Sequence, residues 1–516
     1  MNLNNYWSKK NPEIASQIFK KNLINNKIIL DPFLGSGTSL EGIKTLNFNV
    51  KFVGVELNQM PIEYAKYNIN KPNLENLLKA KKDFLNYYEK NKLFYNFSHK
   101  NEKFELEKVI LNFPNDDVEV KSFIFLNNKN KKINLNKENN PTLFNKFRLL
   151  YIKRSKELKR KKKIDLLLDE NSRIAIKSKM NISDIYGPIT FYLLQQTCDN
   201  FKDNNLIKVI ISSILHLTKY TDLRSQSQFP YWFPKKNAME RNIFILILKK
   251  INSLIKNYKS DNYEIEKKNS FSELNKASKK SYILFNKPIQ NIGLDIPNQS
   301  IDLVFTDPPY FDQVAYSEYL AIWEFFLGYK KNNSSELIQT NRKKKIIDKK
   351  TYLLNLKRCF QVIADKMKIN SKAIIYFKDS KLNNINDFLK ILSECGINFE
   401  KQIHINKKKY TYKQNTTQET TVVGDSLFFF IKDNKMIKIK EKIFNKKEIE
   451  KIVLEFTKKY ISNNNFAKIG EILDNGLIRK LFLEGYLGKL KDAKDILDIL
   501  KKKYTLDKKK RTLIEI

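Results

Sequence analysis

The chain is 516 residues long, 41% hydrophobic and 29% charged, with a formal net charge of +40. That length predicts two or three domains, and no apolar run reaches the roughly 18 residues a membrane-spanning helix needs, which excludes a helical membrane protein. The positive charge attracts phosphates, although lysine far outnumbers arginine and asparagine is abundant, a bias that A/T-rich codons also produce.

The opening residues MNLNNYWSKKNPE carry no apolar core and no cleavage signature, so a cytoplasmic protein is expected. Lys27 to Asn70 reads as strand, Gly-rich turn, helix, strand, helix: Ile28 to Leu30, a helix over Ser39–Leu46, Lys51 to Val55 ending at Glu56, then a helix opened by Pro61. Such a βαβα unit implies a parallel sheet. From Glu75 to Ser281 the composition turns rich in Lys, Asn and Glu, with weak alternation over Val109–Phe125 and a charged run at Lys153–Lys163. Two apolar helices, Leu206–Tyr220 and Asn242–Tyr258, flank a loop of very different composition. The α/β pattern resumes with strands at Tyr282–Phe285 and Ile301–Phe305, helices at Tyr316–Leu327 and Lys350–Lys368, and a strand at Ala373–Phe377. A helix over Ile385–Glu394 leads to a strand pair through Ile405, and Thr420–Ile431 closes the sheet. Amphipathic helix is expected beyond Asp433.

Two turns carry chemistry. Asp31-Pro-Phe-Leu-Gly-Ser-Gly-Thr38 follows the first strand, where ligands of a doubly wound sheet bind. Gly35 and Gly37 permit a tight turn and close approach, the next helix start offers N–H groups, and Glu56 is placed to accept two ribose hydroxyls. Far downstream, Thr306-Asp-Pro-Pro-Tyr310 ends a second apolar strand. Pro308 and Pro309 stiffen the turn and remove two donors, leaving carbonyls and the Asp307 carboxylate to accept the protons of an exocyclic amine. Tyr310 supplies a flat face for stacking. An amine so held has its lone pair free to attack a methyl sulfonium, with no metal and no covalent nucleophile.

Cys198, Cys359 and Cys395 are far apart, which excludes a disulfide framework or zinc ribbon. None follows a proline, so ring-carbon methylation through a cysteine nucleophile is not expected. His216 and His404 are lone histidines among apolar neighbours, for which structural roles are expected.

Together the two turns resemble the S-adenosylmethionine-dependent DNA amino-methyltransferases, which methylate adenine N6 or cytosine N4. More narrowly, Tyr6-Trp-Ser-Lys-Lys-Asn-Pro12, Tyr310-Phe-Asp-Gln-Val-Ala-Tyr-Ser-Glu318 and Pro230-Tyr-Trp-Phe-Pro-Lys-Lys236 resemble a split-domain group with a large central insertion. The resemblance covers residues 1–70 and 280–430 well, the insertion patchily and the C-terminus not at all. It implies a Rossmann-like α/β methyltransferase sheet interrupted by a large, mainly helical insertion, plus a small helical C-terminal region. The expected division is 1–74 (donor half), 75–280 (insertion, target recognition), 281–432 (catalytic half) and 433–516.

Carried onto this chain, the resemblance implies S-adenosyl-L-methionine as cofactor, held by Asp31, Pro32, Phe33, Gly35, Gly37, Thr38 and Glu56. It implies Asp307, Pro308, Pro309 and Tyr310 as catalytic residues acting on a base flipped from double-stranded DNA. Asp at 307 favours adenine over cytosine within the family. Arg224, Tyr231, Trp232, Lys235 and Lys236 interleave aromatic and basic groups and are the candidate DNA contacts; packing of those aromatics onto the flanking helices is the competing reading. A cognate restriction or defence-system subunit is the further partner implied, with no metal and no membrane. The zinc ribbon common in relatives has no cysteines here, and Asn286 stands at a strand end where an acid is common. N4-cytosine methylation, an RNA or protein amine as acceptor, and a non-catalytic DNA-binding subunit are the alternatives.

Overall fold

The computed structural model describes residues 9–515 except 100–101, 113–118, 127–130, 162–163, 171–175, 224–236, 261–262, 312–315, 333, 343–344, 380, 406–424, 438, 465–466 and 508–511. Its strands are β1 (Lys27–Asp31), β2 (Val50–Glu56), β3 (Asn96–His99), β4 (Glu102–Asn112), β5 (Glu119–Leu126), β6 (Lys132–Asn136), β7 (Asn237–Arg241), β8 (Glu266–Lys267) and β9 (Ser281–Asn286). They continue with β10 (Ile301–Thr306), β11 (Thr340–Arg342), β12 (Lys345–Ile347), β13 (Met367–Tyr376), β14 (Ile397–Ile405), β15 (Asp425–Lys432), β16 (Ala467–Lys468), β17 (Tyr504–Asp507) and β18 (Thr512–Glu515).

An eight-stranded sheet runs β14-β15-β13-β10-β1-β2-β9-β8. Pairing is parallel from β13 through β8 and antiparallel only around β15. Helices cover both faces, so the central strands are buried on both sides and read as continuous apolar runs: β2 is buried from Val50 to Val55 and β10 from Leu303 to Thr306. The chain leaves β1 towards β2 and β9 and returns to β10 on the opposite side of β1. The register sets Leu30 beside Val304 and Asp31 beside Gly54. Both chemical turns therefore emerge at the same sheet edge, at the switch point.

Among the described residues of segment 75–280 helix outweighs strand, and a sheet that the sequence pattern showed only weakly accompanies it. Besides the helices Leu74–Asn91, Pro141–Arg160, Pro188–Asn200, Asn205–Thr218 and Ile243–Lys256 the segment holds a five-stranded antiparallel sheet, β3-β4-β5-β6 with β7 on β4. Its signal was weak because β4 pairs with β5 across register shifts at Leu106/Lys108 and Ile110/Leu111, which break the two-residue period. This segment packs against helices Gln59–Ile69 and Ala321–Leu327, where Phe191 stacks on Phe325 with ring centroids 5.7 Å apart. Ser212 meets the Tyr64 hydroxyl at 2.8 Å, and its carbonyl accepts from Trp323 Nε1 at 2.9 Å.

The described part of the C-terminal stretch is mostly helical, with a few short strands. Helices Lys446–Asn464, Ile478–Leu483 and Ala493–Leu500 accompany the small sheet β16-β18-β17. They share a core with the β14–β15 edge, where Phe482 meets Phe399 with ring centroids 6.2 Å apart. Buried Asp474 accepts from Gln402 Nε2 (2.7 Å) and Ser426 Oγ and pairs with His404 Nδ1 (2.6 Å), a structural role for that histidine. Burial pulls His216 down to about 4, so it is neutral at physiological pH. The charged run beginning at Lys153 forms one face of helix Pro141–Arg160, whose Tyr151 and Leu158 are buried and whose Lys153, Lys156 and Lys159 face solvent.

Candidate active site

The turn after β1 is built around Asp31. Its carboxylate is buried and accepts from Phe33 N (3.1 Å), Thr306 Oγ1 (2.7 Å) and Ser39 Oγ. Burial pushes the carboxyl up to about 6, with the three hydrogen bonds opposing. Asp31 thus ties the donor turn to β10 with its oxygens engaged. The expected helix over Ser39–Leu46 is a single turn, Thr38–Gly42. It is cut short where it crosses helix Pro12–Asn22, which the sequence reading missed: a Cβ at Gly42 would lie 2.8 Å from Ala15 Cβ. So short a helix offers little dipole to a ligand.

Gly35 (φ 53°) and Gly37 (φ 81°) both adopt left-handed backbone. A Cβ at Gly37 would stand 2.7 Å from Ala65 Cβ, so this position needs glycine twice over. The Gly35 N–H donates to Glu56 Oε2 at 2.9 Å and the Asn58 N–H to Oε1 at 3.0 Å. Burial drives the Glu56 carboxyl up to about 7 against these bonds. Asn286 donates to the carbonyls of Glu56 (3.0 Å) and Leu57 (3.1 Å), so it braces the end of β2.

One cavity joins the two turns. Asp31, Pro32, Phe33, Gly35, Thr38 and Glu56 line its donor side, while Asp307 and Pro309 line the other. Gly37 sits behind the lining against Ala65, and Pro308 is buried. The Asp307 side chain is 26% exposed. Burial raises its carboxyl, opposed by the Lys10 charge and the Tyr310 hydroxyl and reinforced by Asp425. Tyr310 donates to Asp307 Oδ1, and its oxygen lies 2.8 Å from the Tyr376 carbonyl. Its ring meets Phe377 edge-on at 5.1 Å. The Pro309 carbonyl accepts from Tyr352 at 2.9 Å. The next residue but one, Phe311, has φ 34°, a strained backbone of the kind found at functional turns.

Sequence reasoning missed several residues here. Lys10 reaches Asp307 Oδ2 (3.4 Å) and Asp425 Oδ2 (3.7 Å), and Tyr316, Glu336 and Tyr376 line the cavity. Lys10 and Tyr316 lay inside segments singled out by resemblance but had no role assigned; Asp425 carries no local motif. Arg224, Tyr231, Trp232, Lys235 and Lys236 lie outside the described residues. So do Tyr6 and Trp7 and residues 312–315 of the extended catalytic motif. Among the described residues no cluster of three His, Cys, Asp or Glu side chains is placed to hold a metal, and no helix is long and apolar enough to cross a membrane.

No family model matches the chain. Over 389 residues it is 24% identical to Type II methyltransferase M.MjaII of Methanocaldococcus jannaschii, covering 68% of each chain. Among solved structures, a Thermus thermophilus protein provisionally described as a DNA modification methylase is 12% identical at TM-score 0.18, over 33% of this chain and 60% of that one. The same protein complexed with S-adenosyl-L-methionine gives TM-score 0.17. A provisionally described methyltransferase from Thermoplasma acidophilum is 13% identical at TM-score 0.18, over 37% of this chain and 55% of that one. The chain therefore spans between half and two thirds of the length of these solved chains.

Proposed function

We propose that this chain transfers a methyl group from S-adenosyl-L-methionine to an exocyclic amine of double-stranded DNA, adenine N6 in the first instance. The observation that carries this reading is the single cavity shared by the two turns, locked together by the 2.7 Å bond from Thr306 to Asp31. The 24% identity to a type II methyltransferase supports methyl transfer as the reaction.

The residues suit such a donor. Glu56 presents a half-buried carboxyl at the end of β2, where its oxygens can accept ribose hydroxyls, and the left-handed backbone at Gly35 keeps side chains away from it. Asp31 fixes the turn, a refinement of the direct contact first expected of it. When bound, the donor supplies an electrophilic methyl on a sulfonium. Asp307 and the Pro308 carbonyl accept the amine protons and hold the nitrogen lone pair towards that methyl. Nitrogen forms the new bond with its lone pair, sulfur keeps the old bonding pair, and the Asp307 carboxylate is placed to take the proton that nitrogen sheds. Arg224, Tyr231, Trp232, Lys235 and Lys236 are assigned to the duplex under the same proposal, with a cognate restriction or defence subunit as the implied partner. The assay is label transfer from a tritiated donor to DNA, RNA and protein acceptors. Label recovered as N6-methyladenine in DNA is the expected result; label only in RNA or protein, or none, overturns it.

The state of Glu56 makes donor binding pH-dependent. Free protein holds the Glu56 proton until about pH 7, whereas accepting two hydroxyls requires the carboxylate. Below that pH, binding must expel the proton, so affinity is expected to fall by up to about tenfold per pH unit. Calorimetry in buffers of different ionisation enthalpy should register proton release below about pH 7. In Glu56→Gln both the release and the pH dependence should vanish.

A further inference from the structure

We infer that Lys10 is a positioning residue for Asp307: its ammonium, shared between the Asp307 and Asp425 carboxylates, keeps Asp307 ionised and oriented to receive the proton-bearing amine of the substrate. The inference rests on the proposed transfer reaction for its purpose and on independent geometry for its substance.

Lys10 Nζ lies 3.4 Å from Asp307 Oδ2, 3.7 Å from Asp425 Oδ2 and 5.0 Å from the centre of the Tyr376 ring. These three partners come from the ends of β10, β15 and β13, neighbours in the sheet. The lysine itself enters from outside that sheet, on the chain just ahead of helix Pro12–Asn22. Its backbone is pinned there, because the Asn11 side chain caps the helix by accepting from Glu13 N at 3.0 Å. Neighbouring Lys9 turns the other way, to Glu41 at 2.7 Å, so the two adjacent lysines are sorted to different partners. At 18% exposure the Lys10 side chain is largely removed from water.

The charges around Asp307 give Lys10 something to do. Asp425 on β15 and Asp31 on β1 are acids; Tyr310 on the same turn, Tyr316 and Tyr376 are uncharged hydroxyl bearers. The Lys10 charge opposes both burial and Asp425 in setting the Asp307 carboxyl. Burial pulls the Lys10 ammonium down, and the two carboxylates more than offset it, so it stays protonated. A protonated Asp307 would lose an acceptor oxygen and could not take the amine proton. With Tyr310 on Oδ1 and Lys10 on Oδ2, the carboxylate is also held from both sides in one orientation. A purely structural latch between the chain start and the sheet would need neither the second acid nor the ionised state.

The test follows the Asp307 carboxyl itself. Isotope-edited infrared titration of protein carrying 13C-aspartate, with Asp307→Asn subtracted to assign the band, gives its midpoint without any acceptor substrate. Lys10→Met should raise that midpoint by about one pH unit or more, since an opposite charge at this range shifts a carboxyl by about 1–3 units. Lys10→Arg should hold it near the parent value. Thermal melts check that each variant folds, and Lys10→Gln, equally uncharged, takes the place of Lys10→Met if that variant does not fold. In methylation assays the acid limb of kcat/KM should move by the same interval in Lys10→Met, with donor KM unchanged. An unmoved midpoint in folded Lys10→Met, or an Arg variant that titrates like Met, overturns the inference. A moved midpoint in protein whose parent form labels no DNA upholds the coupling and removes the DNA reading.

Discussion

Asp307→Ala is expected to abolish methyl transfer while leaving donor binding at the parental level. The loss should be at least about a thousandfold in kcat, because the substitution removes both a preorganised acceptor and the base that takes the proton. Folding should survive. Lys10 retains Asp425 at 3.7 Å, and the Tyr310 hydroxyl retains the Tyr376 carbonyl at 2.8 Å. Burial also raises the Asp307 carboxyl, so the native fold gains little from its ionisation. Donor contacts sit one and two strands away, on β1 and β2, and calorimetry with the donor should not register the change. Transfer within tenfold of the parent enzyme would mean that Asp307 is not the amine acceptor.

Gly37→Val is expected to fail in the opposite way, losing donor binding and stability together. Left-handed backbone at φ 81° costs a side-chain-bearing residue about 1–2 kcal/mol, and a β-branched one more. The new Cβ would press on Ala65 Cβ at 2.7 Å, within a helix whose Tyr64 anchors the central segment. Overpacking of that kind adds about 1–3 kcal/mol, for a total of about 2–5 kcal/mol by chemical denaturation. Displacement of the turn also moves the Gly35 N–H away from Glu56, so donor affinity should drop even in protein that still folds. A Gly37→Val variant of parental stability would show that the turn relaxes freely.

The parts legible in the sequence were those written in local pattern. Strands β1, β2, β9 and β10 stood out because burial makes them largely apolar runs ended by Asp31, Glu56, Asn286 and Asp307. Strand β13 was found late, from Ala373, because its first residues, Met367 to Lys372, are mostly polar and include Asn370 at φ 63°. The β3–β7 sheet was hidden by the two register shifts in β4. Helix Tyr316–Leu327 was anticipated as one piece and is two, Tyr316–Tyr319 and Ala321–Leu327. Within the site, both turns announced themselves through Gly and Pro spacing. The Lys10–Asp307–Asp425 group did not, because its members lie at the ends of three separate elements and are joined only by the fold.

Under the proposed function, the cavity at the β1–β10 switch point methylates an amine of DNA. Single-molecule sequencing of DNA from cells expressing the chain, beside cells expressing Asp307→Ala, reports base, position and context together. N6-methyladenine at one recurrent short context, absent with Asp307→Ala, is the result expected. DNA without a modified base, or the same modification in both, would contradict the account.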